Sequence, residues 1–278
     1  MPHSPHTVAS NDGTPIAFDE YGAGRPVILV PGATQHRAID SGTTDLAGLL
    51  GATHRAVHYD RRGRGDSGDT TPYDVQREVD DIAALLDHVG GEAVLYGMSS
   101  GAVLALHAAR RLSGVTGLAL YEPPFVVDDS RPSVAADYLE RLEEHLARGR
   151  RGEAARMFLV DCALVPAEVV DGMAASPFWP VLEGVAPTLP YDARVMGDTM
   201  AGAPLPADAF ADITVPTLVL AGGESARWLQ TTARQVADRL PDARFVLLEG
   251  QGHGAAAGVL VPVLVAFLEA GTTQGMRP

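Results

Sequence analysis

Apolar and polar residues alternate from Val8 to Tyr21 around Asp12-Gly13, a pattern that predicts an edge hairpin. The pattern then changes. Val27-Ile-Leu-Val30 is a continuous apolar run ended by Pro31-Gly32, as expected of a strand buried on both faces. Further short strands are expected at Arg55 to Tyr59, Glu92 to Tyr96 and Val115 to Tyr121. Between them, Val75 to Val89 places Val79, Ile82, Leu85, Leu86 and Val89 on one helical face, and Ala102 to Arg111 is built from good helix formers. Strands alternating with helices at this spacing predict a mostly parallel sheet covered on both faces.

Past Glu122-Pro-Pro124 the strand signal stops. Residues from about Ser133 to Ala201 look helical, in short segments broken by Gly149, Pro166, Pro177, Pro180, Pro187 and Pro190. Strand character returns at Val215 to Leu220 and at Arg244 to Leu248, and a helix from Val259 to Glu269 closes the pattern. The expected organisation is an α/β core of residues 1–124 and 213–271, a helical insertion at 125–212 and a frayed tail at 272–278.

Composition narrows what such a domain can do. With 278 residues, 46% hydrophobic and 20% charged, the chain can bury a sizeable core. A formal net charge of -14 argues against nucleic acid or an anionic membrane as partner. Cys162 is the only cysteine, which excludes an intrachain disulfide and a thiolate metal cluster. Met1 to His6 has neither a basic region nor an apolar run, so no signal peptide is read there. The longest apolar stretch, Ala255 to Ala270, is interrupted by Gly258, Pro262 and Glu269 and is too short to span a bilayer. The expected location is cytoplasmic. There is no lysine at all, and the 21 basic residues are arginines. That excludes Schiff-base catalysis, a lysine-anchored pyridoxal cofactor and a P-loop phosphate clamp.

The chemistry concentrates at Gly97-Met-Ser-Ser-Gly101, which lies between an expected strand and an expected helix. A Gly-x-Ser-x-Gly in that context forms a sharp turn that exposes the serine as a nucleophile, and its glycines let strand and helix close without a Cβ clash. Serine is a poor nucleophile at its own pKa and needs a base. Of the nine histidines, His253 fits best, in the glycine-rich stretch Glu249 to Gly254 just past the last expected strand. His3 and His6 lie in a terminal arm, and His88, His107 and His145 fall on expected helices. His54 and His58 resemble a spaced metal pair but would stand roughly 13 Å apart on a strand. No metal or cofactor is expected, and the partner is a small-molecule substrate.

These motifs resemble the α/β-hydrolase fold enzymes over nearly the whole chain. The landmarks are Asp12 to Phe18, Val30-Pro31-Gly32-Ala33, Asp60-Arg-Arg-Gly-Arg-Gly-Asp-Ser67, Gly97 to Gly101 and Gly252-His253, in the family's order and spacing. The resemblance implies an eight-stranded, mostly parallel sheet flanked by helices, with a helical cap where the insertion lies. It also implies a catalytic Ser99 and His253, and an oxyanion hole made by the backbone amides of Ala33 and Ser100. Pro31 stands where many members carry histidine. Gly63 to Gly68 formally matches a dinucleotide fingerprint, but on the wrong strand for that role. Arg64-Gly65-Asp66 spells an adhesion tripeptide without meaning in an enzyme loop.

The acid departs from the family's pattern. The usual aspartate position, three residues after Gly222, holds Ser225. Glu224 is adjacent, but a one-residue shift on a tight turn redirects a side chain. Glu122, after the sixth strand, occupies a position that some members use for a glutamate partner, and Pro123-Pro124 fix its turn. Glu122 is preferred and Glu224 remains the alternative. Phe125, Phe158, Phe178, Trp179, Met196 and Met200 lie in or beside the insertion, together with Tyr138 and Met157. Most are expected in the cap's own core, and a minority would line an apolar pocket. The leading reading is a cofactor-free serine hydrolase for an ester, lactone or thioester of a small apolar or aromatic substrate. The alternatives are a non-hydrolytic lyase or cyclase on the same fold and a hydrolase-like ligand receptor.

Overall fold

The computed structural model describes residues 6–274. Eight strands form one sheet: β1 (His6–Ala9), β2 (Pro15–Tyr21), β3 (Pro26–Val30), β4 (Arg55–Tyr59), β5 (Ala93–Met98), β6 (Val115–Tyr121), β7 (Thr217–Gly222) and β8 (Ala243–Leu248). Their spatial order is β1-β2-β4-β3-β5-β6-β7-β8. The β1/β2 and β2/β4 pairs are antiparallel, and the six strands from β4 to β8 run parallel. The edge hairpin around Asp12-Gly13 forms as its alternation requires, and Gly13 turns it at φ 81°.

Alternation along the central strands assigns each side chain to a layer. Ile28, Val30 and Leu95 point into one core with α2 (Val75–Val89), α3 (Ser100–Ala109) and α9 (Arg227–Arg239). Val27, Leu29 and Tyr96 point into the other, under α1 (Ser41–Leu50) and α10 (Ala257–Gln274). Helix α2 begins where Asp74 accepts a hydrogen bond from the Gln76 amide at 2.7 Å, and it ends at Gly90 in the left-handed region, φ 108°.

Two helices were not expected from the pattern. In α9 a sparse apolar stripe, Leu229, Ala233 and Val236, is masked by polar neighbours. Helix α1 contains Gly42, Gly48 and three threonine or serine residues, weak formers that packing against β4 and α10 overrides. The expected fray at residues 272–278 is corrected in part. Helix α10 continues through Gly271 to Gln274, because one glycine costs a helix only about 1 kcal/mol, and residues 275–278 lie outside those described. The expectation for Met1 to His6 also rests mostly on residues that are not described.

The segment between β6 and β7 is helical: α4 (Tyr138–Ala147), α5 (Arg151–Met157), α6 (Ala167–Ala174), α7 (Trp179–Val185) and α8 (Leu189–Met196). A π-turn at Phe158–Cys162 and 3₁₀ turns at Ala186–Thr188 and Gly197–Met200 join them. Pro180, Pro187 and Pro190 start helical turns rather than break them, since each sits in a first turn, where no amide donor is required. Tyr138, Leu142, Met157, Leu182 and Leu189 make a separate small core, with Phe158 and Trp179 against it. Phe125, Val195 and Met196 belong instead to the sheet's core, and Phe178 is exposed.

Of the spaced histidine pair, His54 bonds the neighbouring Thr53 hydroxyl, whereas His58 on β4 is fully buried. Burial lowers the His58 pKa to about 4, against the opposing pull of Asp40, Asp60 and Asp19, with Arg37 acting in the same direction as burial. A histidine depressed in the folded state contributes full stability above its unfolded pKa and loses it as pH falls. Wild-type protein should therefore lose stability relative to His58→Gln as pH drops from about 6.5 through about 4, as urea titrations across that window would measure.

Candidate active site

Everything chemically notable gathers at the carboxyl ends of β3, β5, β6 and β8. Ser99 leaves β5 at φ 55°, ψ -126°, a conformation that costs a non-glycine residue on the order of 1–3 kcal/mol. Thr34 (φ 61°) and Glu122 (φ 47°) are strained in the same sense, and among the described residues the only further non-glycine case is Leu164. Local strain thus concentrates on the three loops that converge here.

The elbow exists because its glycines allow close approach. A Cβ on Gly97 would lie 2.5 Å from the Gly101 carbonyl oxygen, and one on Gly101 would lie 2.5 Å from the Pro31 carbonyl oxygen. Gly32 rides directly over the turn: its added Cβ would be 2.9 Å from the Met98 carbonyl oxygen and 3.1 Å from Ser99 Cβ. The loop after β3 is therefore pressed against the serine. Gln35 Oε1 accepts the Gly32 amide at 2.5 Å and holds that loop closed. Among the described residues, neither the Ala33 nor the Ser100 amide donates to a turn or side-chain acceptor. For Ser100 this is the ordinary condition of the first turn of a helix, here α3.

Strand β6 supports both the serine turn and the loop that carries His253. The Ser99 amide donates to the Tyr121 carbonyl at 2.9 Å, and the Tyr121 hydroxyl donates to the Gly252 carbonyl, next to His253. Glu122 is completely buried, and its Oε2 lies 2.6 Å from His253 Nδ1. Its Oε1 accepts the Gly222 amide at 2.7 Å, which pins the carboxylate from both sides. A carboxylate accepts only, so Nδ1 carries the proton, and in a neutral imidazole Nε2 then holds the lone pair. The imidazole is 43% exposed, on a loop with glycines at 250, 252 and 254. No hydrogen bond joins Ser99 to His253 among the described residues. Glu224 does not share this geometry: it is exposed, and among the described residues only its backbone amide is engaged, with the Gln251 carbonyl. Ser225 has a buried hydroxyl with no hydrogen-bond partner.

A second constellation, missed in the sequence, lies directly beneath. Arg61 donates twice to Glu78, at 2.7 and 2.6 Å, and once to Asp192 Oδ1 at 2.7 Å. Arg64 donates to Asp192 Oδ2 at 2.5 Å, to Thr188 Oγ1 at 2.9 Å and to the Gly32 carbonyl at 2.7 Å. The Ser100 hydroxyl donates to Asp192 Oδ1 at 2.7 Å. All six charged or hydroxyl side chains are buried. Burial alone would raise the Asp192 and Glu78 carboxyls; the Arg64 and Arg61 charges outweigh it at Asp192, as Arg61 does at Glu78, and hold both below the usual carboxylate range. The available signal was the unusual arginine density of Asp60 to Ser67, which has no meaning until Asp192 is brought to it.

Among the described residues no three His, Cys, Asp or Glu side chains gather as a metal site, and no helix is long and apolar enough to cross a membrane.

A parallel sheet with a strained serine elbow at the end of β5 and a carboxylate–histidine pair beside it defines the α/β-hydrolase class. The pattern of the alpha/beta hydrolase family matches residues 27–266, and the chain belongs to that family. It is 50% identical to an alpha/beta hydrolase from Sphaerobacter thermophilus whose crystal structure superposes with TM-score 0.86, covering 95% of this chain and 100% of that one. A thermophilic esterase from Thermogutta terrifontis shares the fold at 24% identity, TM-score 0.71, over 97% and 99% of the two chains. A non-heme chloroperoxidase from Kitasatospora aureofaciens is 27% identical over 269 residues, 89% of this chain and 91% of its own.

The elbow geometry yields a direct test. Gly101→Ala should destabilise the protein by about 1–3 kcal/mol, because its Cβ meets backbone that cannot move aside. Gly172→Ala, in open space on α6, should be neutral or slightly stabilising in the same urea titration.

Proposed function

We propose that the protein is a cofactor-free serine hydrolase that cleaves an ester, lactone or thioester of a small apolar or aromatic substrate through an acyl-enzyme. The observation that carries this reading is the fully buried Glu122 paired at 2.6 Å with His253 next to a strained Ser99. The family membership and the esterase name of the Thermogutta neighbour support it.

Ser99 Oγ attacks the substrate carbonyl while His253 Nε2 takes its proton. The resulting imidazolium is stabilised by Glu122, which is itself held by the Gly222 amide. The glycine-flanked loop brings the half-exposed imidazole to the serine when substrate fills the site. Negative charge on the former carbonyl oxygen is met by the Ala33 and Ser100 amides, donors of a kind typically worth about 3 kcal/mol each. His253 returns the proton to the leaving group, and water, activated by the same histidine, releases the acid. The inserted helices, residues 125–212, act as the cap that shapes the substrate site.

The acid assignment makes the sharpest prediction. With p-nitrophenyl acetate as substrate, Ser99→Ala should abolish nearly all turnover, and labelling by a fluorophosphonate should disappear with it. Glu122→Gln should lower kcat by roughly 10⁴-fold, since glutamine presents the wrong donor to Nδ1 and cannot stabilise the imidazolium. Glu224→Gln should stay within about threefold of wild type, because its exposed side chain contacts neither partner. Equal activity in Glu122→Gln and wild type would remove Glu122 from the mechanism.

A further inference from the structure

The Gly32–Ala33 peptide is the unit on which the proposed oxyanion hole depends, and its carbonyl is occupied. Arg64 Nη1 donates to the Gly32 oxygen at 2.7 Å, on the opposite edge of the same planar amide that carries the Ala33 N–H. Since the peptide is rigid, a donor fixed on the oxygen sets the direction of the N–H. A cation hydrogen-bonded to the oxygen also draws electron density from the nitrogen and makes the N–H a stronger donor. Gln35 fixes the preceding amide of Gly32, so the glycine is held at both ends.

Arg64 itself cannot turn. Its Nε donates to Thr188 and its Nη2 to Asp192, both from the helical insertion, and it is only 2% exposed. Asp192 also accepts the hydroxyl of Ser100, the residue that carries the other amide. One carboxylate of the insertion therefore touches the supports of both amides.

We infer that Arg64 is a positioning residue for the hydrolase reaction, orienting and polarising the Ala33 amide, and that Asp192 and Thr188 of the insertion hold it in place. This rests on the reading of Ser99 as nucleophile. It makes the seating of the insertion and the strength of the oxyanion site a single property. A structural arginine would matter for folding alone. A positioning arginine alters transition-state stabilisation at nearly constant substrate affinity.

The test uses full-length protein, p-nitrophenyl acetate as substrate and phenylboronic acid as a tetrahedral adduct former, with folded fraction checked by near-ultraviolet circular dichroism. Arg64→Met should lower kcat 10- to 100-fold with KM within about threefold, a part of the 10²–10³ typical for losing an oxyanion donor outright. The inhibition constant of phenylboronic acid should rise by a similar factor. Arg64→Lys should recover the loss only in part, because one ammonium cannot serve Gly32, Thr188 and Asp192 together. Arg64→Met/Asp192→Asn removes one charge of each sign and leaves Arg61 with Glu78, so it keeps a folded protein in hand if the single variant is unstable. It should show the same joint loss of kcat and boronate affinity. Wild-type kcat and boronate affinity in folded Arg64 variants would overturn the inference, as would a loss confined to KM. Ser99→Ala is run alongside: turnover surviving in that variant defeats the nucleophile reading and the inference with it, whereas an inactive Ser99→Ala beside fully active Arg64 variants defeats the inference alone.

Discussion

Two arginines and two carboxylates lie out of water where the loop after β4, helix α2 and helix α8 meet. Each ion taken into such an environment costs several kcal/mol, and only complete pairing offsets it. Arg61 is satisfied by Glu78 and Asp192; Arg64 by Asp192, Thr188 and a backbone carbonyl. Tyr73 adds a hydroxyl to Glu78 at 2.6 Å. The arrangement leaves little choice of geometry: a shift of α8 by even an ångström would strand one charge, and stranding a partner of a buried pair costs about 3–5 kcal/mol. The helical insertion is therefore held over the strand ends by these ion pairs together with Val195 and Met196, which pack into the sheet's core.

The rest of the site is a problem in backbone supply. Parallel strands finish with unpaired amides and carbonyls at one end, and the segments leaving β5, β6, β7 and β8 use such groups on each other. Ser99 donates to Tyr121, Glu122 accepts from Gly222, and the Tyr121 hydroxyl reaches the Gly252 carbonyl. The strained backbone at Ser99 and Glu122 persists because these bonds over-determine it. The Ala33 and Ser100 amides, which donate to no turn or side-chain acceptor among the described residues, are an exception to a well-satisfied neighbourhood. On the proposed reading of Ser99 as nucleophile, such unused donors are what an anionic intermediate requires.

Much of this was legible along the chain. Period-two alternation in the first hairpin, continuous apolar runs in β3 and β5 and the 3.6-residue stripe of α2 each reflect one local surface facing one layer, and local pattern suffices for that. Gly97 and Gly101 announced the elbow because only a residue without Cβ lets strand and helix come so close. The carboxylate was harder. Position along the chain left both Glu122 and Glu224 open, since a tight turn can aim a side chain in either direction. The structure places one against His253 and the other in solvent.

What the sequence determined by itself was the alternation of strands with helices and the elbow, each a property of residues close together along the chain, while the two candidate acids, Glu122 and Glu224, followed from the family resemblance. What only the tertiary structure decided was the use of Asp192. It lies 128 residues from Arg64 and 92 from Ser100, on a helix whose local pattern says nothing about either. Charge pairing of that kind has no periodicity to read. It is set when folding removes water from the three elements at once, and an arginine-rich loop that looks like solvated surface in the sequence becomes the interior support of the site.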